Sequence, residues 1–567
     1  MHSPSRRQFL GRSTALGLAA VLAPELMRAA HAQSDEISNE VLERAETLAG
    51  LKFSDEEREL MRESVQEHLG SLRAIEGLSI GNQVPPAMLF RPLGESRANE
   101  RYSGDSSAAA AARALAPESV PGTPSAGDDL AFAPVRHLGE WIRTGKISCA
   151  ELTEFYIARL ETLDPTLHFV INMCSDRARA QATALDAELR MGQYRGPLHG
   201  IPWGAKDLFA VSGTPTTWGA APYRDQIIDE DAEVVRRLDA AGAILLAKTS
   251  VGALAWGDVW FDAMCRNPFN PEQGSSGSSA GSASAVAAGA LPFALGTETL
   301  GSIISPCSRC GATGIRPTFG RVPRTGCMAL TWSMDKIGPI TRSVADAAVV
   351  LGAMAGAHDG DRESVDAALG WSSVRDLSRF RFGYVPSAFE SEEENEVNAM
   401  DRAALQTVRD LGVELEEITL PDLPAGDMLV VLEVEGAAAF DELTRSGSDD
   451  ELVRQISNAW PNVFRAAQLV PAVQYVQAQR ARSLLMHEME SALGDLDGYI
   501  TPSFGGPSLL ITNLTGHPAV VLPHGFKEDG TPASFTFIGR NYGESAIVTL
   551  AEAFQRATDH HLRHPAL

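Results

Sequence analysis

From about residue 130 to the C-terminus, short β-rich runs alternate with amphipathic helical patterns, and that alternation leaves few architectures open. Candidate strands fall at 168–172, 243–247, 382–385, 498–501, 519–523 and 534–538. Between the early runs, Ser148 and Glu151 form a helix-start pair ahead of Leu152, Phe155, Tyr156, Leu160 and Leu163 on one helical face. Residues 390–490 carry mostly helical pattern with few turn signals, as a helical insertion would. The expected fold is α/β, a central mixed and twisted sheet flanked by helices. At 567 residues and 44% hydrophobic the chain can bury one large core. Its formal net charge of −25 repels polyanions, so nucleic acid is not an expected partner.

The first 129 residues have a different character. Ser5-Arg6-Arg7-Gln8-Phe9-Leu10 precedes a mildly apolar run from Leu16 to Leu22 and an Ala30-His31-Ala32 cleavage pattern. Residues 1–32 therefore read as a twin-arginine export signal, and a periplasmic or extracellular location is expected. Nothing else approaches eighteen uninterrupted apolar residues, so no membrane span is expected in the mature protein. Residues 33–102 read as a helical extension. Ile37, Val41, Ala45 and Leu48 share one helical face, and a capping pair of Ser54 and Glu57 opens a second helix over 55–76. Residues 103–129, rich in Ser, Ala, Pro and Gly, read as a low-complexity linker, which leaves 130–567 as the main domain. Of six cysteines only Cys307 and Cys310 lie close in sequence, without further ligands beside them; they read as small packing residues, and no metal or cofactor is expected.

Residues 274–306, GSSGSSAGSASAVAAGALPFALGTETLGSIISP, carry the densest chemistry. Gly277-Ser278-Ser279-Ala280-Gly281 fits the G-x-S-x-G elbow, which would make Ser279 a nucleophile. An elbow follows a buried strand, whereas the preceding CRNPFNPEQGSS is polar and broken by two prolines. Gly77-Leu-Ser-Ile-Gly81 fits the same pattern by chance. A flexible linker does not suit the stretch either, because a small-residue helix over 283–290 and a short apolar run follow the serines, ahead of a turn bearing Ser302.

Taken with GIPWGAKDLFAVSGTPTTWGA at 200–220, GATGIRPTFGRVPRTG, MDKIGPITRSVADA, VQYVQAQRAR, NLTGHPAVVLP and FIGRNYGESAIVTLAEAFQRATDHHLR, this stretch resembles the amidase signature hydrolases over most of the chain. The resemblance implies that family's fold and its Ser–Ser–Lys triad. Lys206 matches the lysine base, Ser278 the bridging serine that the family holds in a cis peptide, and Ser302 the nucleophile 24 residues later. It also implies an oxyanion site made by the backbone N–H groups of Thr299, Leu300, Gly301 and Ser302. The residue types suit the work. A serine hydroxyl attacks only when a base removes its proton, and a lysine can be that base only if a dry site lowers its pKa. Ser278 can both donate and accept, so it can relay the proton, and no histidine is required.

Three departures from the family stand near Ser302. Leu300-Gly301 replaces paired glycines, Glu298 stands for an aspartate, and Ile304 stands for an arginine, so the Asp–Arg pairing those positions would allow is lost. In the serine-rich loop Ala280 replaces a glycine. The implied function is a serine amidohydrolase that cleaves an amide or carbamate C–N bond of a small molecule through an acyl-enzyme. Two alternatives are a glutaminase subunit of a tRNA-dependent amidotransferase, which an export signal does not suit, and a catalytically silent binding protein of the same fold. The oligomeric state is open, with a homodimer among the choices.

Overall fold

A computed structural model describes residues 37–78, 80, 87, 122, 127–370, 377–390 and 395–567. The export pattern of residues 1–32 and almost all of the 103–129 linker lie outside the described residues. Thirteen strands are described: β1 Val170–Met173, β2 Pro202–Lys206, β3 Ile244–Thr249, β4 Arg266–Asn267, β5 Asn270–Gly274, β6 Phe293–Glu298, β7 Thr313–Arg316, β8 Lys336–Thr341, β9 Phe382–Tyr384, β10 Leu415–Glu417, β11 Gly498–Pro502, β12 Ala519–Phe526 and β13 Pro532–Gly539. Eleven form one mixed sheet in the order β1-β3-β2-β6-β8-β7-β12-β13-β11-β9-β10, and β4 pairs with β5 separately. Pairing is parallel in β3-β2-β6 and β11-β9-β10 and antiparallel elsewhere.

The six runs expected as strands all occur, with shifted ends. The strands that carry the site, β2 (PWGAK), β6 (FALGTE) and β8 (KIGPIT), are harder to read in sequence. Every residue in them is buried, because helices cover both faces of the central sheet, so they show no two-residue alternation. The 390–490 region is helical as expected, over Glu396–Asp410, Val430–Ala439, Trp460–Ala467 and Ala472–Leu493, but β10 extends the sheet within it.

The small-residue helix spans Ala280–Ala287, a little earlier than expected, and all eight of its residues are buried. Its composition has a packing cause. A Cβ on Gly281 would sit 2.3 Å from Phe169 O, so only a side chain of minimal size lets the helix lie this close to the sheet. Ser282 Oγ donates to Leu295 O on β6 at 2.8 Å, which ties the helix to the strand that leads to Ser302.

Helices Asn39–Ala49 and Asp55–Glu76 form, the second with the Ser54–Glu57 capping box, but the first buries Leu42 and Glu46 and leaves Val41 and Leu48 of the expected face exposed, because it packs through the opposite side. Met61 and Val65 pack with Ala466, and Arg465 bonds Glu57 and Asp449 at 2.8 Å each. Through these contacts the extension lies on the helical insertion.

Candidate active site

Lys206 is the last residue of β2 and is entirely buried. Its Nζ lies 2.8 Å from Ser278 Oγ, 3.0 Å from Ser279 Oγ and 2.8 Å from Thr297 Oγ1. Burial pushes its pKa down to about 7, outweighing the opposing pull of Cys327, Asp335 and Glu298, so a large share is neutral at neutral pH. The next residue, Asp207, points away and pairs with buried Lys248 at 2.6 Å, while its other oxygen accepts from Thr217 N at 2.8 Å. The two neighbouring side chains thus part, Lys206 toward Ser278 and Asp207 into a buried ion pair.

The peptide Gly277–Ser278 is cis. A Cβ on Gly277 would fall 1.8 Å from Gly257 O, so this turn rests directly on backbone and glycine is required there. Ser279 Oγ donates to Thr297 O and accepts from Thr297 N, both at 3.1 Å, which joins the turn to β6.

Ser302 lies in the turn between β6 and the Ile304–Cys310 helix, and its carbonyl accepts from Ser279 N at 3.2 Å. The two serine loops therefore meet through backbone. Among the described residues the Ser302 hydroxyl is hydrogen-bonded neither to Ser278 nor to Lys206. Gly301 has φ +82°, a left-handed conformation that glycine adopts freely. Thr299 Oγ1 donates to Asp335 at 2.5 Å. A cavity of about 400 Å³ lies alongside, lined among others by Leu208, Thr297, Thr299, Cys327 and the exposed Trp332.

The sequence profile of the family described as Amidase matches residues 151–512. A glutamyl-tRNA(Gln) amidotransferase subunit from Roseiflexus sp. (strain RS-1) is 33% identical over 480 residues, covering 76% of this chain and 97% of the relative. The same-named protein of Moorella thermoacetica is 32% identical, covering 77% and 99%. The chain belongs to the amidase signature family. Among solved structures, native peptide amidase from Stenotrophomonas maltophilia has a TM-score of 0.68 at 27% identity, covering 76% of this chain and 98% of that one. An amidase family protein from Bacillus anthracis str. Ames has a TM-score of 0.70 at 26% identity, covering 77% and 93%.

Within this amidase signature chain the geometry brings Lys206 and Ser278 into direct contact and places Ser302 on the neighbouring loop. Sequence reasoning missed Thr297 and Ser279 as partners of Lys206, and Glu298 with Arg316 behind the Ser302 turn. The signal for Thr297 was its place next to the end of β6, on a strand paired with β2. Cys307 and Cys310 are buried free thiols. Among the described residues no cluster of His, Cys, Asp or Glu could hold a metal ion, and no helix is long and apolar enough to cross a membrane.

Proposed function

We propose that this chain hydrolyses an amide C–N bond through an acyl-enzyme, with Ser302 as nucleophile, Ser278 as proton relay and Lys206 as base. Neutral Lys206 accepts the Ser278 proton while Ser278 takes that of Ser302, and Ser302 Oγ bonds the substrate carbonyl carbon. The oxyanion that forms faces backbone N–H groups of Thr299 to Ser302. Return of the proton to the leaving nitrogen breaks the C–N bond and frees the amine or ammonia. Water then attacks the ester by the same route. The observation that carries this reading is a fully buried lysine held 2.8 Å from Ser278 Oγ with its pKa near neutrality. Mass-spectrometric detection of a fluorophosphonate adduct on Ser302 tests it; a chain left unlabelled would fit the silent binding protein.

A protonated Lys206 has no lone pair for Ser278. Activity is therefore expected to be low in acid and to rise with pH through about 7. A rate that does not change between about pH 5 and 9 would exclude a lysine base.

Two substrate readings share this chemistry. The names of the curated relatives, matched over nearly their whole length, favour a glutaminase that supplies ammonia within an amidotransferase and has a protein partner. The export pattern at Arg6-Arg7 and the helical extension ahead of the family match favour a free-standing amidohydrolase acting on small amides or carbamates outside the cytoplasm. Assaying the purified chain alone against glutamine, peptide amides, aryl amides and carbamates separates the two. Preference for glutamine, raised by a partner, supports the first; turnover of other amides without one supports the second. Cell fractionation of an Arg6→Lys, Arg7→Lys double variant tests export, because unchanged secretion would remove the twin-arginine reading.

A further inference from the structure

Glu298, the last residue of β6, turns back on its own loop. Its Oε2 accepts the backbone N–H groups of Ile303 at 2.8 Å and Ile304 at 2.9 Å, the two residues directly after Ser302. Its Oε1 accepts from Arg316 at 2.7 Å and from Asn513 at 2.9 Å. Neither side chain of the Glu298–Arg316 pair has any solvent exposure. Arg316 in turn is fixed by Thr512 Oγ1 at 2.8 Å and by His517 O at 3.0 Å.

The segment Thr299–Ser302 is therefore a loop closed at its base by a carboxylate from the residue that precedes it. Ile303 offers no side-chain acceptor to the start of the Ile304–Cys310 helix, and Glu298 supplies one. The loop is held at three further points, Thr299 by Asp335, Gly301 O by Ser305 N at 2.7 Å and Ser302 O by Ser279 N at 3.2 Å. Among the described residues the N–H groups of Thr299, Leu300, Gly301 and Ser302 have no protein acceptor, so the clamp occupies the N–H groups after Ser302 and leaves those before it open.

We infer that Glu298 is a positioning residue that sets the Ser302 turn and keeps its N–H groups converged on the developing oxyanion, and that Arg316 cancels a carboxylate charge that would otherwise oppose that oxyanion. The inference rests on Ser302 being the nucleophile. Ile304 offers Glu298 no charge, and the glutamate reaches a guanidinium on β7 instead. Preorganised donors of this kind act without reorganising at the moment of reaction.

The test compares the parent with Glu298→Gln, Glu298→Asp and Arg316→Lys by kcat, KM, the rate of fluorophosphonate labelling at Ser302, the pH profile and the urea midpoint. Glu298→Gln keeps one acceptor but removes the charge. It is expected to lower kcat and labelling about 100-fold, the scale seen when oxyanion donors are disturbed, with KM changed less than about threefold. Because the Glu298 charge favours protonated Lys206, the acid limb of the variant's profile should move to lower pH, a shift that loss of packing alone does not produce. Glu298→Asp, one methylene short of its partners, should lose labelling similarly, and Arg316→Lys, which keeps the charge, should retain more activity than either. A folded Glu298→Gln that labels at the parental rate with an unmoved acid limb overturns the clamp and leaves the nucleophile standing. If Glu298→Gln does not fold, Arg316→Lys decides: parental kcat, KM and labelling support charge cancellation, and a change confined to KM overturns it. A parent that does not label at Ser302 overturns both readings.

Discussion

Ser302→Ala is expected to reduce turnover by about 10,000-fold or more, and adding Lys206→Ala to it is expected to change little further. In the proposed mechanism the two residues serve one proton transfer: with no hydroxyl to deprotonate, an amine 2.8 Å from Ser278 has no task. Lys206→Ala alone should cost about 100- to 10,000-fold, because the hydroxyl then attacks without a base. Steady-state kinetics on the three variants, with the fluorophosphonate adduct located by mass spectrometry, checks the set. Ser279→Ala is the informative control. Its hydroxyl bonds Lys206 at 3.0 Å and both backbone groups of Thr297, so a rate loss is expected, yet the label should remain on Ser302. A label that survives Ser302→Ala and disappears with Ser279→Ala would restore the elbow reading.

The second large effect is on stability. Glu544→Ala is expected to lower the free energy of unfolding by about 3–5 kcal/mol, because it strands a buried guanidinium. Arg321 and Glu544 pair at 2.7 Å with no solvent exposure on either side chain. Glu544 also accepts from Thr318 N at 2.9 Å, and Arg321 donates to Tyr542 O at 3.1 Å and lies over the Tyr542 ring. The pair joins the segment after β7 to the start of the Glu544–Thr558 helix. Burial alone would push the Glu544 carboxyl up, but the charge and hydrogen bonds of Arg321, joined by backbone N–H donors including Thr318, more than reverse that and leave it below the ordinary glutamate value of 4.5. Its contribution is accordingly present above pH 4.5 and fades as pH falls through the lowered value. Urea denaturation at neutral pH measures the loss; a shift under about 1 kcal/mol would show that the site relaxes around the missing carboxylate.

How much of this was legible in sequence differs between the scaffold and the site. The helix at Asp55–Glu76 could be read because half its surface meets water, so polar and apolar residues sort by face and a capping pair marks its start. β2 and β6 could not be read that way, since burial on both faces erases the pattern. Lys206, Ser278 and Ser302 stand out as candidates only through motif resemblance, and no local periodicity marks them. The Glu298–Arg316 pair was missed because its partners are 18 residues apart and meet only when β6, β8 and β7 lie side by side. Glu298 could be seen in the letters; the guanidinium it pairs with is a property of sheet order. The serine-rich stretch was ambiguous for a related reason, because small residues chosen for close approach look like residues chosen for flexibility.

The burial of Lys206 also has a consequence for folding equilibria. An extended chain exposes this amine to water, where it holds its proton up to about the ordinary lysine value of 10.5, whereas the folded chain releases it near 7. Between those limits folding expels a proton from Lys206, and Lys336, which burial likewise lowers, adds in the same direction. The unfolded state binds more protons there, so these two sites make the native state more stable as pH rises from neutral toward alkaline. Lowering the pH from alkaline toward about 7 thus acts twice on one atom, protonating the amine that the proposed mechanism needs free and drawing the chain toward the state in which that nitrogen is hydrated.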